Sequence, residues 1–252
     1  MTIFIKNVKI KQTDVKLTAG VEMKIFAISD LHISTDGTKP MEVFGKRWDG
    51  YMEKIKSDWQ EKVGDEDIVL IAGDLSWAMK LEDAVKDLDS VAYLKGKKIV
   101  IKGNHDYWWN GIGKVRNAFK DKFYALQNDS VKIGNYVFCG SRGWTLENMS
   151  DEQDKKIVLR EVERFRLALK DAEKKREQGD KLICLIHYPP FDLNRNNSPF
   201  TELFELYNVD AVVYGHLHGK DCKAELLVEK NGIKYYLTSC DLVNHKLIEI
   251  KI

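Results

Sequence analysis

Lys98-Ile-Val-Ile-Lys-Gly-Asn-His-Asp106 sets an apolar β-type run against an abrupt polar end, and the change of character falls at Gly103. A glycine lets the backbone turn where a β-carbon would clash, so Asn104, His105 and Asp106 project together from the carboxyl end of a strand. One polar turn after a strand can be only a turn. The same pattern nevertheless recurs along the chain. Met23-Lys-Ile-Phe-Ala-Ile-Ser runs into Asp30-Leu-His32, and Asp67-Ile-Val-Leu-Ile-Ala runs into Gly73-Asp74. If the chain stays extended past Ser29, Asp30 and His32 point to the same side, a pair able to share one metal ion. Later, Leu182 to Ile186 stops at His187-Tyr-Pro-Pro, and Ala211-Val-Val-Tyr stops at Gly215-His-Leu-His218.

Helical stripes separate these strands. Val43, Phe44, Trp48, Tyr51, Met52, Ile55 and Trp59 recur at helical spacings between Pro40 and Val63, which predicts a loop and an amphipathic helix with most of the aromatics in the core. Leu81 to Leu94 and Gly111 to Phe123 read as further helices. Ser150-x-x-Gln153 reads as the capping box of a long helix striped by Val158, Val162, Phe165 and Leu169. Strand, helix, strand in succession predicts a parallel sheet whose functional loops gather at the strands' carboxyl ends. Gly134-Asn135 and Asn231-Gly232 mark hairpins, and Lys223 to Val228, Ile233 to Leu237 and Lys246 to Lys251 predict an antiparallel ending.

With 252 residues and 44% hydrophobic content, the chain has material for one large α/β core. Residues 23–252 read as that domain, because the first apolar strand begins at Met23; the polar, lysine-rich Met1 to Glu22 reads as a peripheral extension. Lysine and arginine total 40 against 39 aspartates and glutamates, so no global field favours a polyanion or an anionic membrane. Cys139, Cys184, Cys222 and Cys240 are widely spaced, form no C-x-x-C pair and read as reduced thiols. No apolar run reaches the roughly 18 residues a membrane span needs, and no signal-peptide pattern opens the sequence; a cytoplasmic protein is expected.

Five of the six histidines, His32, His105, His187, His216 and His218, fall at strand ends beside glycine, aspartate or proline. One such histidine is more often structural, but five together with Asp30, Asp74 and Asn104 have metal binding as their simplest common cause. The ordered set Asp30-Leu-His32, Gly73-Asp74, Gly103-Asn-His-Asp106, His187 and Gly215-His-Leu-His218 resembles the calcineurin-like metallophosphoesterase family over most of the chain. Five blocks in the right order are far more specific than any one.

That resemblance implies a four-layer αββα sandwich: two mixed β-sheets flanked by helices, with a dinuclear metal site at the strands' carboxyl ends. It implies that one divalent ion is held by Asp30, His32 and His218 and the other by Asn104, His187 and His216, with Asp74 bridging them. Imidazole, carboxylate and amide donors without thiolate suit manganese, iron, zinc or nickel better than copper(I). The implied reaction is attack on phosphorus by a metal-activated hydroxide. His105, which the family pattern places beside the metals without making it a ligand, is expected to protonate the leaving oxygen, and Asp106, next in the chain, to hold its other nitrogen. Leu75-Ser-Trp-Ala78 replaces the V-D-R-G block of the calcineurin-type protein phosphatases, which turns the expectation from phosphoproteins towards small-molecule phosphomono- or phosphodiesters, as in compact bacterial phosphohydrolases. Arg142 and Arg195 are candidates to neutralise phosphate. Trp77, Tyr107, Trp108, Trp109 and Trp144 are candidates to stack on a base or aryl group, with packing beneath the loops as the plainer role for each. A nuclease would need a basic groove that the sequence does not display, and a non-catalytic scaffold is disfavoured because every ligand position holds a competent residue.

Overall fold

The computed structural model describes residues 23–147 and 149–252; the peripheral extension expected over residues 1–22 lies outside them. Four parallel strands, β1 (Ile25–Ala27), β2 (Ile68–Ile71), β3 (Lys97–Ile101) and β4 (Tyr124–Leu126), build most of the first sheet. The second contains β5 (Asp129–Ile133), β6 (Tyr136–Ser141), β7 (Lys181–Ile186), β8 (Ala211–Tyr214), β9 (Leu227–Lys230) and β10 (Ile233–Leu237). A two-residue strand, β11 (Ile248–Glu249), returns to the first sheet antiparallel to β1. The strand orders are β11-β1-β2-β3-β4 and β5-β6-β7-β8-β10-β9, so both sheets are mixed.

Alternation along each strand decides what faces what. Ile25, Ala27, Ile68, Leu70, Ile99 and Ile101 meet Phe138, Ile183, Leu185, Ala211, Val213 and Tyr236 in a dry layer between the sheets. The intervening residues Phe26, Val69, Ile71 and Val100 point the other way, under α1 (Tyr51–Lys62), α2 (Leu81–Ala92) and α3 (Ile112–Phe119). On the far side Val137, Cys139, Leu182, Cys184, Val212 and Tyr235 pack beneath α4 (Glu152–Glu173) and α5 (Pro199–Leu206). Four layers result, helix, sheet, sheet, helix, as the resemblance implied.

Several local expectations need correction. The cap of α4 is Asp151, whose carboxylate accepts from the N–H groups of Gln153 and Asp154, so the helix begins one residue later than a Ser150 cap would place it. Both hairpin turns are present, but the last three strands do not form one antiparallel sheet: β9 pairs antiparallel with β10, β10 also runs parallel to β8, and β11 crosses to the other sheet, antiparallel to β1. Trp48, Tyr51 and Trp59 are buried, as expected of most aromatics in that stripe, whereas Phe44 is 64% exposed, because Met41–Phe44 and Lys46–Trp48 form two short 3-10 helices that carry it away from α1. Trp108 and Trp109 are fully buried against each other, with Trp108 also edge-on to Phe119, so the plainer role of packing is theirs.

The two sheets are joined where function is expected. Beyond β1, the Ile28 N–H donates to Leu70 of the first sheet, whereas the Ser29 N–H donates to Thr238 at the end of β10 in the second. The chain thereby ties the carboxyl ends of both sheets together one residue before Asp30.

Candidate metal centre

Asp30, His32, Asp74 and His216 all have positive φ, at 59°, 47°, 52° and 71°. The extended continuation expected after Ser29 is therefore absent, and Asp30 and His32 converge because the backbone coils left-handed. Such a conformation costs a non-glycine residue on the order of 1–3 kcal/mol. Hydrogen bonds between the loops hold it: Asp30 N–H to the Gly73 carbonyl and His32 N–H to the Asp74 carbonyl, each 3.0 Å. Gly103 is required for close approach, since a β-carbon there would collide with the Asp74 carboxylate and its backbone nitrogen. Gly215 has the same relation to the Asp30 carboxylate and the Ser29 side chain.

The structure brings all seven expected ligands to one place. Asp30, His32 and His218 form one group whose donor atoms lie within 4.8 Å of one another, and Asp30, Asp74 and His187 form a second. Asn104 Oδ1 is 2.7 Å from His187 Nε2 and 2.9 Å from His216 Nδ1. Asp74 Oδ2 stands 3.7 Å from His32 Nε2 and 3.5 Å from His187 Nε2, between the two groups.

The chemistry of these donors fits divalent cations. His187 Nδ1–H donates to the Ala72 carbonyl at 2.9 Å, which leaves a lone pair on Nε2 facing the Asn104 oxygen with no proton to share. Burial lowers His187 to about 4 and His32 to about 3, so both imidazoles are neutral at pH 7 and free to donate electron pairs. Asp74 is pushed well above the usual carboxylate range by burial, then by the charges of Asp30 and Asp106. Burial also opposes ionisation of Asp30, but the hydrogen bond and charge of His218 outweigh it and hold that carboxyl low. Buried carboxylates crowded this way call for a cation between them. Burial works against a charge on His218, yet Asp241 and Asp30 raise it to about 10, so its imidazolium answers the Asp30 carboxylate.

His105 sits at the rim of this cluster. Its backbone N–H donates to Asp74 Oδ1 at 2.8 Å, and its ring lies 4.6 Å from Trp77 and 5.6 Å from His32, centroid to centroid. Asp106 does not steady that ring: its Oδ1 accepts from the N–H groups of Leu75 and Ser76 and its Oδ2 from Gly103, and His105 Nδ1 has no partner among the described residues. Adjacent side chains at a strand end point apart, and Asp106 is spent on holding two ligand-bearing loops together. Asp241 went unnoticed in the sequence. Its Oδ1 binds His218 Nδ1 at 2.8 Å, its Oδ2 accepts from the Gly219 N–H at 3.0 Å, and Arg47 Nη1 lies 3.1 Å from Oδ2. A signal existed, because β10 ends in Thr238-Ser239-Cys240-Asp241, another apolar strand closing in polar residues.

The sequence profile of the calcineurin-like phosphoesterases matches residues 23–220, which contain every one of the converging ligands. The chain belongs to the calcineurin-like phosphoesterase family. Phosphohydrolase activity dependent on divalent metal is the general property of these phosphoesterases. Among solved structures, similarity extends to a protein of unknown function from Aquifex aeolicus, with 16% identity, a TM-score of 0.49 and coverage of 90% of this chain and 95% of that one. An archaeal phosphodiesterase shares 16% identity at a TM-score of 0.42, covering 91% and 100%. A 5'-nucleotidase from Candida albicans shares 11% at 0.41, covering 90% of this chain and 50% of that one. No curated protein matches the sequence.

Two cavities flank this cluster of carboxylates and imidazoles in the calcineurin-like chain. One of about 590 Å³ is lined by His32, His105 and His218 together with Trp77, Trp48 and Phe44. The other, of about 430 Å³, opens beside His216 and contains Arg195. Arg195 is paired with Glu225, so its charge is already answered. Arg142 lies at the end of β6, 3.6 Å from the buried Glu161 and over the Trp144 ring at 4.9 Å. Trp77 stacks on His32 at 4.5 Å with 21° between the planes, and Lys39 lies 5.4 Å from its centroid, so the ring is engaged by the protein itself. Tyr107 is half exposed, edge-on to His105 at 6.1 Å, outside the lining of both cavities.

Proposed function

We infer that the chain is a dinuclear metal-dependent phosphohydrolase acting on phosphomono- or phosphodiesters of small molecules. The observation that carries this reading is the convergence of two buried carboxylates, one carboxamide and four imidazoles from both sheets on a single point. Asp30, His32 and His218 hold one ion, Asn104, His187 and His216 the other, and Asp74 lies between. The donor set suits manganese, iron, zinc or nickel. When bound, such a pair lowers the pKa of a shared water and neutralises phosphoryl oxygens.

The chain's own residues do the rest. Asp241 and the Ala72 carbonyl orient the rings of His218 and His187 through their outward nitrogens. His105, on the wall of the larger cavity, protonates the oxygen of the departing arm. The second cavity beside His216 gives room for a second arm, which favours diesters over monoesters. The balance of 40 basic against 39 acidic residues argues against a nucleic acid substrate. Three buried free thiols, Cys139, Cys184 and Cys240, support a reducing, cytoplasmic setting. No helix among the described residues is long and apolar enough to cross a membrane.

A panel of chromogenic phosphomono- and diesters, each assayed with manganese, zinc, nickel and iron(II), tests the reading. Metal-dependent hydrolysis of at least one class is expected, and hydrolysis of neither contradicts it.

A further inference from the structure

The wall of the larger cavity has features that cleavage of a bare phosphate ester does not require. Met41, Phe44, Lys46, Arg47 and Trp48 all come from the two short 3-10 helices between β1 and α1, and Lys220 faces in from the loop after His218. Phe44 presents a largely exposed ring that stacks on no other ring among the described residues, although Gly45, at φ 111°, fixes the turn beside it. Trp77 is engaged by His32, and Trp48 is buried against Tyr51 and His245, so Phe44 is the aromatic surface available to a ligand.

Charge in the cavity is one-sided. Asp241 is the one carboxylate in the lining, and His218, Arg47 and the Gly219 N–H already occupy it. Lys46 and Lys220 form no ion pair among the described residues. At about 590 Å³ the space far exceeds what a phosphoryl group fills and falls within the usual range of small-molecule sites. His105, the group that would give the departing oxygen its proton, is part of the same wall.

We propose that this cavity binds the organic arm of the ester, and that the arm is a flat, apolar ring bearing an anionic group of its own. The ring packs on Phe44 and the rim of Trp77, and the anion lies between the ammonium groups of Lys46 and Lys220. This inference rests on the phosphohydrolase reading and deepens it by naming the chemistry of the arm. It also assigns a purpose to the exposed phenylalanine, which the metal centre does not use.

Calorimetric titration of the manganese-loaded chain with methylphosphonate, phenylphosphonate and 4-phosphonobenzoate tests it, since the carbon–phosphorus bond is not an ester and is not hydrolysed. The phenyl ring should strengthen binding about 10-fold over methyl, and the added carboxylate about 10-fold again. Phe44→Ala should abolish the first gain and leave methylphosphonate unchanged. The double variant Lys46→Ala, Lys220→Ala should abolish the second gain alone. Equal affinity for the three compounds, or gains that survive these substitutions, overturns the proposal. If the graded binding holds but no phosphomono- or diester of the chromogenic panel is hydrolysed, the cavity assignment stands and the hydrolase reading falls.

Discussion

Asp241 accepts a hydrogen bond from His218 Nδ1 at 2.8 Å while the opposite nitrogen of the same ring faces Asp30 Oδ1 at 3.2 Å. The carboxylate fixes the ring's rotation and makes its inward nitrogen a better donor. Partners of this kind typically support metal affinity by 10–100-fold. Asp241→Ala should therefore weaken manganese binding by about that factor at the Asp30, His32 and His218 group, with the second ion retained. Equilibrium dialysis at graded manganese concentrations reads this, and unchanged affinity for both ions contradicts it.

Asp106 is buried, and its three backbone partners come from the loops that carry Asp74 and Asn104. Each amide left without an acceptor costs about 1–3 kcal/mol. Asp106→Ala is expected to lower unfolding stability by on the order of 3 kcal/mol. Asp106→Asn should cost less, because one oxygen still accepts. Urea denaturation followed by circular dichroism distinguishes these from the alternative, a stable variant with lost turnover alone, which would return Asp106 to a chemical role.

The strands that carry the candidate ligands, β1, β2, β3, β7 and β8, were legible because each holds an apolar run closed by glycine or a polar residue, and the candidate ligands were legible because they occupy those ends. Left-handed backbone at Asp30 and His32 was not, since nothing in Ser-Asp-Leu-His marks a change of φ; it follows from hydrogen bonds to Gly73 and Asp74, more than forty positions away. The three-residue strand β4 is too short to carry a period. Asp241 escaped notice because its strand end holds no histidine. Arg47 escaped because its partner Asp241 lies almost two hundred residues later, and sequence spacing says nothing about such pairs.

Asp74 Oδ2 stands between His32 and His187, one histidine from each half of the cluster, whereas Asp30 belongs to both compact donor groups. Bridging by Asp74 predicts that Asp74→Ala loses both ions and that Asp30→Ala loses mainly the one shared with His32 and His218. Metal analysis after gel filtration measures the stoichiometry of each variant. Loss of both ions in Asp30→Ala together with retention in Asp74→Ala would exchange the two roles.

His105 touches the cluster through its backbone N–H to Asp74, which a side-chain substitution leaves in place. His105→Asn should accordingly keep both ions and lower kcat by roughly 10²–10⁴, the usual worth of a positioned general acid. The loss should be larger for alkyl than for nitrophenyl esters, because a good leaving group departs without a proton. Steady-state kinetics on matched pairs of esters decide it, and an equal loss across leaving groups would assign the imidazole to charge stabilisation instead.

The phosphohydrolase reading requires two divalent ions bound at this cluster. Metal-stripped protein titrated with manganese, with bound ion and hydrolysis of bis(4-nitrophenyl) phosphate followed in the same samples, tests it most directly. Turnover should be absent without metal and rise to a plateau as binding approaches two ions per chain. Hydrolysis by the stripped protein, or saturation of binding at two ions without turnover of this or any other phosphate ester, would contradict the account.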